Sequence, residues 1–206
     1  PRKEIFLTTK VADGDQGYDN TLRAFDVSSK KLNCEYIDLY LVHWPIKKTR
    51  KETWRALEKL YGEKRVRAIG VANYLVQFFK EIDTYSKVTT ALNQVEFSPY
   101  LFLETVLIEC KRKHIQLPAY TPLVRGQRFT DPKLMAMASR YEKTPAQIIL
   151  RWALQLGVST IPKSSNPTRL KENFDVFDFQ ISDEDMKKIN AFHENFRVVD
   201  DPMGLL

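Results

Sequence analysis

The run Ile161-Pro162-Lys163-Ser164-Ser165-Asn166-Pro167-Thr168-Arg169-Leu170-Lys171-Glu172-Asn173 sets cations among small polar residues where a short apolar strand passes into a helix. Such a junction is a phosphate seat. Val158 to Ile161 reads as a buried strand, Ser164 to Asn166 offer N-cap chemistry, and Pro167 suits a first helical turn, where its missing N–H costs nothing. Free backbone N–H groups at the helix start attract anions, and Lys163 and Arg169 add full charges that a phosphate monoester accepts in pairs. The same residues also suit an ordinary capped helix with solvated cations, and spacing alone leaves both readings standing.

A second chemistry-bearing pair lies early in the chain. Lys10 follows the apolar run Ile5-Phe6-Leu7, and His43 follows Leu39-Tyr40-Leu41-Val42, so both are expected at the C-terminal rim of strands about 5 Å apart. A cation and an imidazole in one pocket polarise a substrate oxygen or lower the pKa of a nearby acid. Taken singly, Lys10 also reads as a surface cation, and His43, beside Trp44-Pro45, as a hydrogen-bonded packing residue.

The elements that must position these residues follow one pattern. Short apolar strands alternate with longer amphipathic segments and never switch to hairpins, which predicts βα units with parallel strands and helical crossovers. The strands expected are Ile5 to Thr8, Ile37 to Val42, Ala68 to Val71, Leu92 to Val95, Ile115 to Ala119 and Val158 to Ile161. Helices are expected over Thr21 to Leu32, Glu52 to Tyr61, Leu75 to Thr84, Phe102 to Lys113, Lys133 to Tyr141, Pro145 to Leu156, Thr168 to Phe174 and Ser182 to Phe192. The strands are rich in Leu, Val and Ile with little polar alternation, as when both faces of a sheet are covered. An open doubly wound sheet would begin on a glycine fingerprint, yet the chain has 7 glycines and no GxGxxG, so the closed barrel is favoured. In a barrel, functional residues gather where strands end. Those ends read Thr9-Lys10, His43-Trp44, Ala72-Asn73, Gln94, Tyr120-Thr121 and Lys163-Ser164, a set suited to a bound organic cofactor.

At 206 residues, 43% hydrophobic and 28% charged, the composition is that of a soluble single domain, residues 1–206, with a sizeable core. No run of about 18 apolar residues and no signal-peptide stretch is present, so no membrane partner is expected. Cys34 and Cys110 lie far apart without metal-ligand spacing, which favours buried thiols and a cytoplasmic, reducing compartment. The net charge of +6 comes from interspersed charges, and the basic groups Lys47 to Lys51 and Lys111 to His114 lack aromatic interleaving, so no nucleic acid partner is expected.

Six segments together resemble the aldo-keto reductases: Thr8-Thr9-Lys10, Tyr36 to Pro45, Arg67 to Asn73, Asn93-Gln94-Val95-Glu96, Ala119 to Leu123, and Ile161 to Asn173. They run in family order across nearly all of the chain. Val124-Arg125-Gly126-Gln127 resembles the compact loop of bacterial members close to diketogluconate and methylglyoxal reductases. The resemblance implies a (β/α)8 barrel of TIM type that binds NADP(H) and, as NADPH, uses it to reduce small aldehydes or ketones without a metal. By motif, Lys10 matches the lysine that lowers the pKa of a catalytic tyrosine, His43 the histidine that orients the substrate carbonyl, and Trp44 a wall of the substrate pocket. Tyr120 matches the ring that stacks on nicotinamide, Asn73 and Gln94 the amides that bind its carboxamide, and Thr121 and Leu123 the receivers of the pyrophosphate. Lys163, Ser164 and Arg169 match the clamp on the adenosine 2′-phosphate, and Glu172 and Asn173 the adenine contacts.

The pattern departs in two places. The family carries a catalytic Tyr and a supporting Asp before the Thr-Thr-Lys strand, and neither is in this sequence, so the expectation is a truncated barrel with about six of its eight βα units and impaired turnover. The alternative is a nucleotide-holding pseudoenzyme or regulatory subunit. A fragment, a natural truncation, and a barrel completed by a missing N-terminal segment or by self-association all fit. The second departure is Ala72, where the family has Ser, which removes one hydroxyl contact to the carboxamide, a loss on the order of 1 kcal/mol.

Overall fold

The computed structural model describes residues 1–205, the side chain of residue 205 excepted. Strands and helices come in the order β1 (Thr8–Val11), α1 (Tyr18–Leu32), β2 (Ile37–Val42), α2 (Arg50–Gly62), β3 (Val66–Ala72), α3 (Val76–Ile82), β4 (Asn93–Glu96), α4 (Glu104–Arg112), β5 (Pro118–Tyr120), α5 (Pro132–Arg140), α6 (Pro145–Gln155), β6 (Ser159–Thr160), α7 (Pro167–Phe174) and α8 (Asp183–Asn190). Every strand pairing is parallel, which makes this an α/β fold built from βα units. Among the described residues, no helix is long and apolar enough to cross a membrane.

The chain forms two compact units. The first comprises Pro1–Gln94, Thr105–Gln116 and the described residues from Pro202 onward. Its centre is β2, in which all six residues are buried, as the unbroken apolar run requires when both faces are covered. α2 packs Trp54, Leu57 and Leu60 inward at helical spacing. Asp38 is the exception in β2: a fully buried carboxylate that receives Arg2 Nη2 at 2.7 Å, Arg67 Nη1 at 2.7 Å and the Leu7 N–H at 2.9 Å. Burial alone would raise its pKa, but the Leu7 N–H and the two guanidinium groups outweigh burial and hold it below the usual carboxylate range. At Gly70 in β3, a Cβ atom would lie 2.5 Å from the Leu92 carbonyl oxygen and 2.8 Å from Leu41 Cδ2, so no larger residue fits.

Asp38 also accounts for the one strand that lies elsewhere than expected. The apolar run Ile5-Phe6-Leu7 is not β1; Ile5 and Phe6 are exposed, and the strand begins at Thr8. The Leu7 carbonyl accepts from the N–H groups of both Asp38 and Leu39, which starts the ladder there and sets Lys10 opposite Leu41. Lys10 therefore sits within the strand, one residue before its end. The other strands and helices lie within three residues of their expected limits.

The second unit comprises Val95–Glu104 and Leu117–Asp201. Its core is α6, which starts on Pro145 behind a Thr144–Gln147 capping box and buries seven residues, with Trp152 stacked on Phe97 at 5.3 Å. Asp185, near the start of α8, is buried and accepts from Tyr141 Oη at 2.8 Å, Arg140 Nη1 at 2.9 Å and Lys188 Nζ at 3.1 Å. Burial opposes ionisation there, yet these three donors hold its pKa down at about 2. Cys110, in the first unit, is a buried thiol whose pKa burial pushes up to about 11, whereas Cys34 is only half-buried.

Candidate functional site

In the first unit, the ends of β1 and β2 place Lys10 and His43 on neighbouring strands, both half-buried. Burial lowers the Lys10 pKa below the usual lysine range. Burial is also the largest influence on His43, lowering its pKa; Asp13 counteracts this, and the Lys10 charge lowers it further. The imidazole is thus neutral near pH 7, with one N–H to donate. His43 Nδ1 stands 3.7 Å from Asp13 Oδ1, and the ring meets Trp44 edge-on at 6.3 Å. Asp13 was not among the residues anticipated from sequence; its signal was the polar run Asp13-Gly14-Asp15 directly after a strand.

The two amides expected at a carboxamide sit together in the same unit. Asn73 follows β3 with φ 64°, a left-handed conformation that asparagine tolerates, and its N–H donates to the Gln94 carbonyl at 2.9 Å. Asn73 Nδ2 donates to the His43 carbonyl at 3.0 Å, so the amide also ties the histidine's backbone. Ala72 is buried and stands opposite Gln94 in the ladder. Asn93 fixes the following turn by exchanging side-chain hydrogen bonds with both the N–H and the carbonyl of Tyr74.

The second unit contains a cleft of about 700 Å³, a volume that suits a bound small molecule. Thr121, Leu123, Lys163, Ser164, Arg169, Glu172 and Asn173 all line it, so seven residues anticipated from scattered sequence positions share one cavity. Arg125 lines it as well, on a turn where Thr121, Val124, Arg125 and Gly126 all take positive φ. The Thr121 hydroxyl is buried without a hydrogen-bond partner among the described residues. Lys163 and Arg169 are exposed, and the side chain of neither makes an ion pair or hydrogen bond with another described residue.

The helix start has the expected cap and proline, but its backbone donors are not free. Asn166 caps α7 with its side-chain oxygen, accepting from the N–H groups of Thr168 at 2.9 Å and Arg169 at 3.3 Å, while Ser164 Oγ accepts from the Asn166 N–H at 3.1 Å. Those backbone donors are therefore satisfied within the chain, and the capacity for an anion rests on the two side-chain cations. Glu172 is likewise engaged, accepting from Thr144 Oγ1 at 2.6 Å. Tyr120 ends β5, half-buried. Burial raises its phenol pKa above the usual tyrosine range and the neighbouring Glu96 charge adds to this, so it stays a neutral ring at physiological pH. Glu96 is itself buried, receives the Val198 N–H at 2.7 Å, and has its pKa raised by burial.

The pattern of the Aldo/keto reductase family matches residues 1–194. The chain is 47% identical over 205 residues to the glyoxal reductase of Bacillus subtilis (strain 168), an alignment that takes in 100% of this chain and 74% of that protein. Among solved structures, it is similar to an aldo-keto reductase enzyme from a Medee basin deep-sea metagenome library, with a TM-score of 0.92 and 40% identity over 98% of this chain and 75% of that one. It also resembles the Bombyx mori aldo-keto reductase solved in complex with NADP, with a TM-score of 0.88 and 35% identity over 97% of this chain and 71% of that one.

Proposed function

The chain belongs to the aldo/keto reductase family of oxidoreductases, and from that premise we propose that it binds NADPH and reduces small aldehydes or ketones to alcohols. The observation that carries the reading is the cleft of the second unit, where two cations whose side chains have no partner among the described residues and a buried orphan hydroxyl, Thr121 Oγ1, line one cavity. Buried polar groups are rarely left unsatisfied unless a ligand or water completes them. Lys163 and Arg169 suit the adenosine 2′-phosphate, which is the group that distinguishes NADPH from NADH, and Ser164 stands beside them. Thr121 and Leu123 suit the pyrophosphate, Glu172 and Asn173 the adenine, Tyr120 the face of the nicotinamide, and Asn73 and Gln94 its carboxamide. The relatives support this choice: one solved neighbour holds NADP, and the Bacillus protein is named for glyoxal, a small dicarbonyl.

Bound NADPH supplies the hydride that becomes the new C–H bond of the alcohol. The chain's own contribution is to orient the carbonyl and to offset the negative charge that gathers on its oxygen. A neutral His43 donates its N–H to that oxygen, and the Lys10 ammonium, partly removed from water, stabilises the developing charge more strongly than a solvated one would. Trp44 walls the substrate pocket. The oxygen takes a proton from solvent water to complete the alcohol, because the tyrosine that the resemblance assigns to this step is not among residues 1–206.

The test has two arms. Titrating the chain with NADPH and following nicotinamide fluorescence is expected to show saturable binding that is tighter than for NADH. Mixing it with methylglyoxal is expected to consume NADPH. Failure of a folded chain to bind either nucleotide overturns the reading, and tight binding with no turnover decides for the nucleotide-holding alternative.

A further inference from the structure

Three consecutive backbone carbonyls, those of His43, Trp44 and Pro45, are each held by a side chain from a different part of the first unit. Asn73 Nδ2 donates to the first at 3.0 Å, Gln16 Nε2 to the second at 2.8 Å and Arg50 Nη1 to the third at 2.9 Å. All three donors are buried. A strand end on which every carbonyl is captured has little freedom to tilt, and a side chain mounted on it inherits that fixity. Asn73 already has a role in the proposed nicotinamide site, and Arg50 is bound in turn to Glu81. Gln16 belongs to neither group, and its surroundings specify its orientation. Its Oε1 accepts from Thr49 Oγ1 at 3.1 Å, and only its NH₂ can serve the Trp44 carbonyl, so the amide has one consistent placement. The same NH₂ lies 3.4 Å from Asp13 Oδ1, the atom that stands 3.7 Å from His43 Nδ1.

We infer that Gln16 is a positioning residue for carbonyl reduction: by holding the Trp44 carbonyl and the Asp13 carboxylate together, it fixes the His43 imidazole beside Asp13 and Lys10. The inference rests on His43 acting on the substrate oxygen, as proposed above. Gln16 touches neither substrate nor cofactor. Replacing it with leucine keeps its bulk, removes the donor to Trp44 and the acceptor for Thr49, and frees the turn to move toward water. Rehydration reverses the strongest influence on His43, so its titration midpoint rises toward the ordinary histidine value, with Asp13 and Lys10 as the charged groups facing it.

The measurement is the pH titration of the imidazole resonances by NMR in the full chain, which has 3 histidines, so that His114 and His193 serve as internal controls. In Gln16→Leu the His43 midpoint is expected to move up by roughly half a pH unit with the controls unmoved. NADPH affinity is expected to hold within about twofold, and KM for methylglyoxal to rise about tenfold. Thr49→Val, which removes only the hydroxyl that orients Gln16, is expected to move the same signals the same way by less. A His43 titration unchanged in both variants overturns the inference, and so does a shift of all three histidines together, which would mark a general loosening of the fold. Should Gln16→Leu fail to fold, Thr49→Val decides on the same criterion. Absence of NADPH binding by the unsubstituted chain would instead sink the functional reading, and the His43 signals would still report whether Gln16 holds the turn.

Discussion

The turn that carries His43 and the cleft of the second unit treat their polar groups in opposite ways. At that turn the carbonyls and the Gln16 amide all find partners within the protein, as does the Asp38 carboxylate buried near the start of β2. Around the cleft, the side chains of Lys163 and Arg169 and the buried Thr121 hydroxyl have no partner among the described residues. Satisfied groups contribute to stability and geometry, whereas unsatisfied ones keep capacity for something brought from outside. The contrast separates residues whose loss unfolds the chain from residues whose loss empties it of ligand.

The largest effect is expected at Asp38. Asp38→Ala leaves the Leu7 N–H without its acceptor and frees Arg2 and Arg67 to turn to water, and urea denaturation is expected to show a loss of about 2–3 kcal/mol, the upper range for hydrogen bonds to a charged group. A loss under about 1 kcal/mol would show that β2 does not depend on this carboxylate, and the contrast would fail on its stability side. Next comes the Lys163→Ala, Arg169→Ala double variant, in which NADPH affinity is expected to fall about 100-fold while NADH affinity and the unfolding midpoint stay as they were. An equal fall for both nucleotides would mean that the cations do not read the 2′-phosphate.

A third experiment tests whether the second unit also has its scaffold of satisfied groups. Asp185 is held at about 2, below the ordinary value near 4, so it contributes stability at every pH above that ordinary value and loses it as pH falls from there toward 2. Denaturation midpoints at pH 5, 3 and 2 are expected to fall across this window, and to fall less steeply in Asp185→Asn. The smallest effect is expected from Thr121→Val. Removing a hydroxyl that has no partner among the described residues leaves the ligand-free chain as stable or slightly more so, while NADPH affinity drops about fivefold, the worth of roughly one hydrogen bond. A clear loss of stability would place an unseen partner on that hydroxyl and blur the contrast.

Much of this architecture could be read from residue types. β2 appeared with its true limits because a run of apolar residues buried in succession leaves little ambiguity, and α7 was marked by capping residues followed by proline. β1 was misplaced because hydropathy reports which side chains avoid water, while the ladder was set by the backbone of Asp38 and Leu39 reaching the Leu7 carbonyl. The cleft residues were legible through their charges and the family motif. The state of each group was not: that Asn166 satisfies the helix donors, that Thr121 is left unpaired and that Gln16 grips Trp44 are facts of tertiary neighbours, which spacing along the chain does not encode.

Gly70 bears on how far such a chain can vary. With the Leu92 carbonyl 2.5 Å from where a methyl group would begin, the missing side chain acts as a spacer gauge between β3 and the segment beside it. Mutational drift can exchange many apolar neighbours for one another at modest cost, but it meets a wall at this position. A random library over β3 would therefore return glycine at position 70 under selection for folding alone, before any selection for catalysis was applied.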